Sequence, residues 1–489
     1  MSDRREAVRS NAKYLREVRP IDPEEICEYL EGGEHPAVVK RILREEAPDL
    51  GLIEREDGTF VPVEDEPVLP RRGTVRHFPD EYAECLEDLL ADRYGPNWFE
   101  GASGDLLRST IRRFKADYLE GGRVEYAEDV AAGYAIYHLP GYYAAIQYAL
   151  EDLAEQGLLG RDLRVLDVGA GVGGPALGLF DYLPEDALVE YHAVEPSAAA
   201  DVLEELLSET SRNVHTKIHR TTAEAFDPTA VDGEGFDLVL ACNVLSELED
   251  PETVLRSYLE GLSPDGSLLA MAPADKHTST GLRELERAVE SESIVPADAE
   301  AGEDGEEGEV TIYSPTVRLW PGEQPSDRGW SFDVRPDLEV PGFQRRLEDA
   351  ARGDDEYEPG EFVNVDVQFS YTIFRLDGTR RIDLSLDADR WAKMAEMERH
   401  VPNRIDLVAA KLSRSLTDDP DANPLFKISD GSEAVDHYAV LTKETALNRA
   451  LLEAEYGDLL AFEQVLALWN DDEEAYNLVV DEETIVDRF

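Results

Sequence analysis

The chain has 489 residues, and 107 acidic against 47 basic side chains leave a net charge of −60. A length of this order predicts about three domains. No apolar run approaches the roughly 18 residues of a membrane span, and the opening MSDRREAVRSN has no apolar core for a signal peptide, so a soluble, cytoplasmic protein without a membrane partner is expected. Cys27, Cys85 and Cys242 are scattered and form no C-x-x-C pair, which leaves no metal or iron–sulfur site. The acids run along the whole chain, as on the surface of a halophilic protein, where carboxylates keep the fold hydrated in concentrated salt. They do not exclude a nucleic acid. In molar salt the screening length is about 3 Å, so any RNA contact there rests on stacking and hydrogen bonds.

Residues 1–70 hold two helical patterns and a hairpin. Pro23 to Leu30 is short and amphipathic with Asp22 as N-cap, and His35 to Leu50 places Val38, Val39, Ile42 and Leu43 on one face. Leu52–Arg55 and Thr59–Pro62 flank Asp57-Gly58, a strong hairpin turn. Two helices and a two-stranded wing predict a winged-helix-like domain. Residues 71–158 read as a helical connector, with amphipathic segments at Tyr82–Tyr94 and Leu106–Tyr118. The last of its helices, Tyr134–Leu150, is crowded with tyrosines. Tyr142 or Tyr143 is placed to line the mouth of the site that follows, and His138 reads as a helix-end residue.

That site begins at Leu163, in LRVLDVGAGVGGPALG. A buried strand, a glycine turn and a helix opened by Pro175 make a pocket for a nucleotide-type ligand: glycines let the backbone approach, and the helix start presents free N–H groups. Gly169, Gly171 and Gly174 fit the dinucleotide spacing, and Glu195 ends the next strand where a ribose diol wants an acid. Asp167 separates the two candidate ligands. A carboxylate two residues before the first glycine suits the ammonium of S-adenosylmethionine and repels a pyrophosphate, so S-adenosylmethionine is favoured over a nicotinamide dinucleotide.

Strands at Arg164–Val168, Glu190–Glu195, His215–Arg220, Phe236–Ala241 and Gly266–Ala272 alternate with helices. They predict a Rossmann-like α/β core with a parallel sheet and its ligand beyond the strand C-terminal ends. Those ends offer Asp167, Glu195, Thr222-Ala223-Glu224 and Asn243. Residues 159–395 are assigned to this core, with an acidic, mobile loop over 291–309. Phe362–Phe374 is expected to pair with Arg381–Leu386 at an antiparallel edge, completing a seven-stranded sheet. Residues 400–489 form a separate unit. Three strands, a helix over Glu444–Tyr456 and two more strands follow the order of an OB-type β-barrel. Its Phe426, Tyr438, Lys411 and Lys427 are candidates for a single-strand-binding face.

From about Tyr134 to Tyr371 the chain resembles the small-ribosomal-subunit methyltransferase-like family best known from mitochondria. The resemblance is carried by YHLPGYYAAIQYAL, VLDVGAGVGGPA, YHAVEPS, LVLACNVLSEL, Gly281 with Arg283 and Arg287, Trp330-Ser331-Phe332, VPGFQRR and Phe369-Ser370-Tyr371. It implies a class I S-adenosylmethionine-dependent methyltransferase fold that acts on small-subunit ribosomal RNA or assembles a ribosomal precursor. The cofactor set it supports is Asp167, Gly169, Ala170, Gly171, Gly173, Glu195, Pro196, Ala223, Glu224 and Asn243. Relatives read as iron–sulfur proteins carry cysteines near the tryptophan segment; Ser314 to Phe332 has none, so no cluster is expected. Base-methylating enzymes commonly show Asn/Asp-Pro-Pro-aromatic after the fourth strand, where this chain has Asn243-Val244-Leu245-Ser246. Cys242 reads as core, no general base is identifiable, and no catalytic residue is assigned. The alternatives are an assembly factor that binds the cofactor without transferring methyl groups, and a small-molecule methyltransferase.

Overall fold

In the computed structural model the described residues are 2–30, 35–119, 127–297, 307–320, 329–354, 357–417, 419 and 421–489. They fall into two compact units. The first comprises Met1–Ala223, Phe236–Leu238 and Leu338–Val365; the second comprises Glu224–Gly235, Val239–Asp337 and Asp366–Phe489.

The first unit opens with helices α1 (Ser2–Leu15), α2 (Pro23–Tyr29), α3 (Pro36–Glu45) and α4 (Ala47–Leu50), then the hairpin β1 (Leu52–Glu54) and β2 (Phe60–Pro62). The first helix goes beyond the two helical patterns read from the sequence. Its apolar side is sparse, but Val8, Ala12 and Leu15 recur at helical spacing and are buried with Val39, Leu43 and Phe60. Asp22 caps α2 by accepting from the Glu24 N–H at 2.9 Å. Gly58, at φ 83°, makes the hairpin turn.

Three longer helices follow: α5 (Asp80–Tyr94), α6 (Gly101–Leu119) and α7 (Glu128–Glu155). Then β3 (Asp162–Val168), α8 (Gly174–Tyr182), β4 (Leu188–Val194), α9 (Ala199–Leu207) and β5 (Val214–His219) alternate. Strands β3, β4 and β5 are parallel neighbours, with Asp167 opposite Ala193. The tyrosine helix α7 lies along α8 at very short range. A Cβ at Gly178 would sit 2.3 Å from the Tyr143 carbonyl oxygen, and one at Gly174 would sit 2.9 Å from the Tyr142 Cβ. Two glycines one turn apart therefore let the two helix backbones meet.

Strand β6 (Phe236–Cys242) begins in the first unit and ends in the second. Its start adjoins β3, where the Asp237 carboxylate accepts from the Arg164 N–H at 2.7 Å. The second unit continues with α10 (Pro251–Glu260), β7 (Leu262–Pro273), α11 (Lys276–Val289), the short pair β8 (Ser293–Ile294) and β9 (Gly308–Glu309), β10 (Thr311–Ser314) and β11 (Asp333–Arg335). Helix α12 (Gly342–Ala351) belongs to the first unit, and β12 (Val367–Arg375) returns to the second. There β7 lies beside β6, and β12 pairs antiparallel with β7 on one side and with β10 and β11 on the other.

Two expectations are corrected at this edge. Phe362–Asp366 is not strand, and Arg381–Leu386 forms no strand with β12. The positions beside β12 are already taken by β7, β10 and β11, and the later segment instead donates singly, from the Arg381 N–H to the Tyr313 carbonyl at 3.0 Å and from the Leu386 N–H to the Leu319 carbonyl at 2.9 Å. Residues 298–306, the centre of the expected acidic loop, lie outside the described residues.

The C-terminal strands are β13 (Arg404–Lys411), β14 (Leu425–Ser429), β15 (His437–Leu441), β16 (Leu459–Asn470), β17 (Ala475–Val480) and β18 (Ile485–Arg488), with α13 (Ala450–Glu453) before β16. Neighbours run β13-β14-β15-β17-β16, and β16 pairs back to β13, closing a five-stranded barrel; β15 and β17 are parallel. The helix expected over Glu444–Tyr456 shrinks to one turn, and β18 adds an edge strand on β16. The segment with the tryptophan Trp320 is fastened to this barrel through buried Asp430. That carboxylate accepts from Trp320 Nε1 at 2.7 Å, the Met394 N–H at 2.9 Å and the Ser432 N–H and hydroxyl at 2.9 and 2.7 Å. Asp430→Ala strands these donors in the interior, and an expected loss of about 3 kcal/mol or more should appear in denaturant unfolding at high salt.

Candidate functional site

The end of β3 and the glycine turn are built as the sequence suggested, with one addition. Gly169, Gly171 and Gly173 have φ of 66°, 54° and 92°, conformations that side chains resist. They fold the turn back onto the end of β4, where the Gly169 and Ala170 N–H groups donate to the Val194 carbonyl at 2.9 and 3.2 Å. Glu195 lies just beyond. Its carboxylate accepts from the Gly171 N–H at 2.9 Å through one oxygen and from the Ser197 N–H at 2.8 Å through the other, so it is fixed against the turn while keeping lone pairs to spare. Pro196 is exposed beside it, and Ala223 is buried at the start of a short turn after β5.

Asp167 is fully buried. One carboxylate oxygen accepts from the Tyr191 hydroxyl at 2.7 Å; the other, Oδ1, has no hydrogen-bond partner among the described residues. Burial pushes this carboxyl up to about 7, against the hydrogen bond from Tyr191 and with the nearby charge of Glu195. An unpartnered buried carboxylate oxygen is costly unless something completes it. A cationic group is the natural complement, because it restores both the charge balance and the missing hydrogen bond. This is the feature that fits an amino-acid ammonium and does not fit a phosphate.

Tyr191 was not singled out from the sequence. The signal was available: Ala193 is opposite Asp167 in register, and residues two apart on a strand share a face. The tyrosine helix is partly corrected. Tyr143 cannot line a pocket mouth, because it is buried and donates to Asp181 at 2.7 Å. Tyr142, in α7 and packed beside Gly174 of α8, is half-buried and stacks on His138, with ring centres 5.3 Å apart and planes 11° apart. His138 is not at a helix end. Helix α7 runs on through Pro140, and burial, with a smaller contribution from Lys115, pushes the imidazole down to about 3, leaving it neutral.

Glu224 and Asn243 belong to the second unit. Glu224 is exposed on the turn Ala223–Ala225. Asn243 follows β6, half-buried at φ 60°, with its N–H donating to the Met271 carbonyl at 2.9 Å. Asparagine tolerates this left-handed conformation better than other side chains do. Cys242 is buried, as expected. Among the described residues no group of three or more His, Cys, Asp or Glu is arranged to hold a metal ion, and no helix is long and apolar enough to cross a membrane.

The barrel overturns the binding face expected on it. Phe426 is packed in the barrel core. Lys411 is buried, donates to the Ala454 carbonyl at 2.7 Å, and is pushed down to about 8 by burial. Lys427 is buried and donates to Asp436 at 2.6 Å. Only Tyr438 of the four is half-exposed. Alternation along short strands does not say which polar side chains are covered by neighbouring segments.

Residues 166–268 match the model of a methyltransferase domain. Residues 5–56 and 395–489 match the N-terminal and C-terminal domains of a domain of unknown function, DUF8157. No curated protein matches the sequence. Similar solved structures include the cyclopropane synthase MmaA2 from Mycobacterium tuberculosis, at 17% identity and TM-score 0.19 over 22% of this chain and 36% of that one. Another is the CcbJ methyltransferase from Streptomyces caelestis, at 24% identity and TM-score 0.20 over 27% and 49%. A third is the mitomycin 7-O-methyltransferase MmcR, at 17% identity and TM-score 0.22 over 55% and 75%. The matched part thus spans less than half of the first two proteins, and TM-scores this low carry no functional argument. The match to the domain model and the strand arrangement described above agree: the chain carries a methyltransferase domain of the class I, mixed α/β fold, and a five-stranded closed barrel near its C-terminus.

Proposed function

We propose that this protein binds S-adenosylmethionine and methylates small-subunit ribosomal RNA, or serves assembly of that subunit. The observation that carries the cofactor reading is Asp167, whose buried Oδ1 lacks a partner beside a turn that Glu195 braces. Asp167 would hold the ammonium, Glu195 would accept from the ribose hydroxyls, and the N–H groups at the start of α8 would face the polar end of the ligand. Ala223 is proposed for the adenine edge. S-adenosylmethionine, when bound, supplies an activated methyl group on its sulfonium; the residues named here position it and exclude water.

The ribosomal part of the proposal rests on the family resemblance of residues 134–371. Two architectural readings support it. The barrel order β13-β14-β15-β17-β16 with parallel β15 and β17 supports an OB-type assignment. Helices α1 to α3 and the single turn α4, followed by the β1–β2 hairpin, with Ile21 bridged to Phe60, support a winged-helix assignment.

A second reading is favoured by the loop after β6. It presents Asn243-Val244-Leu245-Ser246 and a buried cysteine, with no base or nucleophile assigned, which suits an assembly factor that binds the cofactor but transfers nothing. Mass mapping of methylated nucleosides in small-subunit RNA separates the two. A deletion strain should lose one methyl mark if the protein is an enzyme. It should keep every mark while subunit precursors accumulate if it is an assembly factor. Intact marks with normal subunits would sink both.

A further inference from the structure

Lys411 and Lys427 lie inside the barrel, but one end of it presents a different surface. Trp469, the last aromatic of β16, pairs directly with Tyr476 of β17, which in turn pairs with His437 of β15. The three rings form a row across one end of the barrel, with centroids 4.7 Å apart for Trp469–Tyr476 and 4.9 Å for Tyr476–His437. Trp469 is 40% exposed, whereas Trp98, Trp320 and Trp391 are buried. Tyr476 is half-buried and His437 lies wholly beneath. Burial, with the nearby charge of Lys427, pushes that imidazole down to about 3, so His437 itself is neutral, and the Lys427 ammonium is paired with Asp436 at 2.6 Å.

The rim is acidic. The hairpin joining β16 to β17 is Asp471-Asp472-Glu473-Glu474, all exposed. Asp471 accepts from Trp469 Nε1 at 2.9 Å, and this bond ties the indole to the acidic hairpin. Glu398, from the turn before β13, acts on the Tyr476 hydroxyl as a neighbouring negative charge.

An aromatic floor under carboxylates attracts a cation twice. The ring faces carry negative charge density, and the acids add hydrogen-bond acceptors. A nucleic-acid strand could stack on the same rings, but its phosphates would meet the acidic hairpin. We propose that this end of the barrel docks an arginine-containing basic segment of a protein partner. Arginine fits better than lysine, since its planar guanidinium stacks on indole and still donates to carboxylates in its plane. In concentrated salt, where long-range attraction is screened within about 3 Å, a short-range contact of this kind survives. The inference does not depend on the cofactor reading.

The test uses the full-length protein in molar potassium chloride and a fluorescein-labelled short peptide of alternating arginine and glycine, followed by anisotropy. The same peptide with citrulline in place of arginine, and a labelled oligouridine, are the comparisons. The arginine peptide should bind and the citrulline peptide should not. Trp469→Ala should weaken binding about two- to fivefold, and adding Tyr476→Ala should weaken it further. Trp469→Phe, which keeps a ring, should fall between the parent and Trp469→Ala, and circular dichroism should show every variant folded. The proposal is overturned if no peptide binds, if citrulline serves equally, if a folded Trp469→Ala binds unchanged, or if oligouridine binds more tightly through Trp469.

Discussion

Asp167→Asn should abolish S-adenosylmethionine binding by calorimetry, with an affinity loss of about a hundredfold or more. The variant keeps the volume and can still accept from Tyr191, so it isolates the charge. Removing one member of a buried ionic hydrogen bond costs several kcal/mol, and each 1.4 kcal/mol or so is tenfold in affinity. The wild-type protein carries its own signature. Only the carboxylate form can hold an ammonium, and this carboxyl titrates near 7. Affinity should therefore be highest above pH 8 and fall roughly thirtyfold by pH 5.5. Binding near neutrality should release a proton, seen as a heat that changes with the buffer.

Stability should move the opposite way. The folded carboxyl holds its proton up to about pH 7, while in the unfolded chain it is lost near the ordinary value of about 4. Wild-type stability from this group is thus full below about pH 4 and declines as pH rises toward 7. Asp167→Asn should be more stable than wild type at pH 8, and lose that advantage at pH 4. A variant that binds normally at pH 8, or an affinity flat with pH, would remove Asp167 from the site. Tight binding of a nicotinamide dinucleotide by the wild-type protein would replace the cofactor reading altogether.

The second large effect is a pair of identical substitutions with opposite signs. Gly178→Ala should destabilise the protein by about 1–3 kcal/mol, because its Cβ would enter the Tyr143 carbonyl at 2.3 Å and Ile146 Cγ2 at 2.4 Å. Backbone on both helices would have to move. Gly281→Ala, in α11, meets nothing within 4 Å. It should stabilise by about 0.5–1 kcal/mol, the gain from a better helix former. Denaturant unfolding at fixed high salt measures both. Equal effects would mean that α7 and α8 do not approach as closely as described. Gly178→Ala should also weaken cofactor binding, since α8 starts at the glycine turn.

The local chemistry of the turn was legible along the chain. Glycine spacing, Pro175 and the acids at Asp167 and Glu195 are neighbours in sequence or one strand–helix step apart, so period and turn chemistry place them. The β15–β17 barrel strands were legible for the same reason. Their alternation over Asp436–Thr442 and Ala475–Val480 sets which residues share a face. The helix α1 was not legible, because its three buried residues are too few to stand out. His138 was misplaced because the tyrosine pattern starts the helix at Tyr134, whereas α7 begins at Glu128 and puts His138 in its interior.

What the sequence by itself determined is the strand, glycine turn and helix of the candidate site and the alternation of strands and helices around it, since both follow from short-range rules of backbone and charge. What only the tertiary structure decided is which polar groups are covered. Asp167 proved to be buried with one oxygen unmatched, Lys411 and Lys427 proved to be interior, and Trp469 was left at the surface beside acids. Burial is set by segments distant in the chain, and it fixes the cost of every charge, so no local pattern of residues can report it.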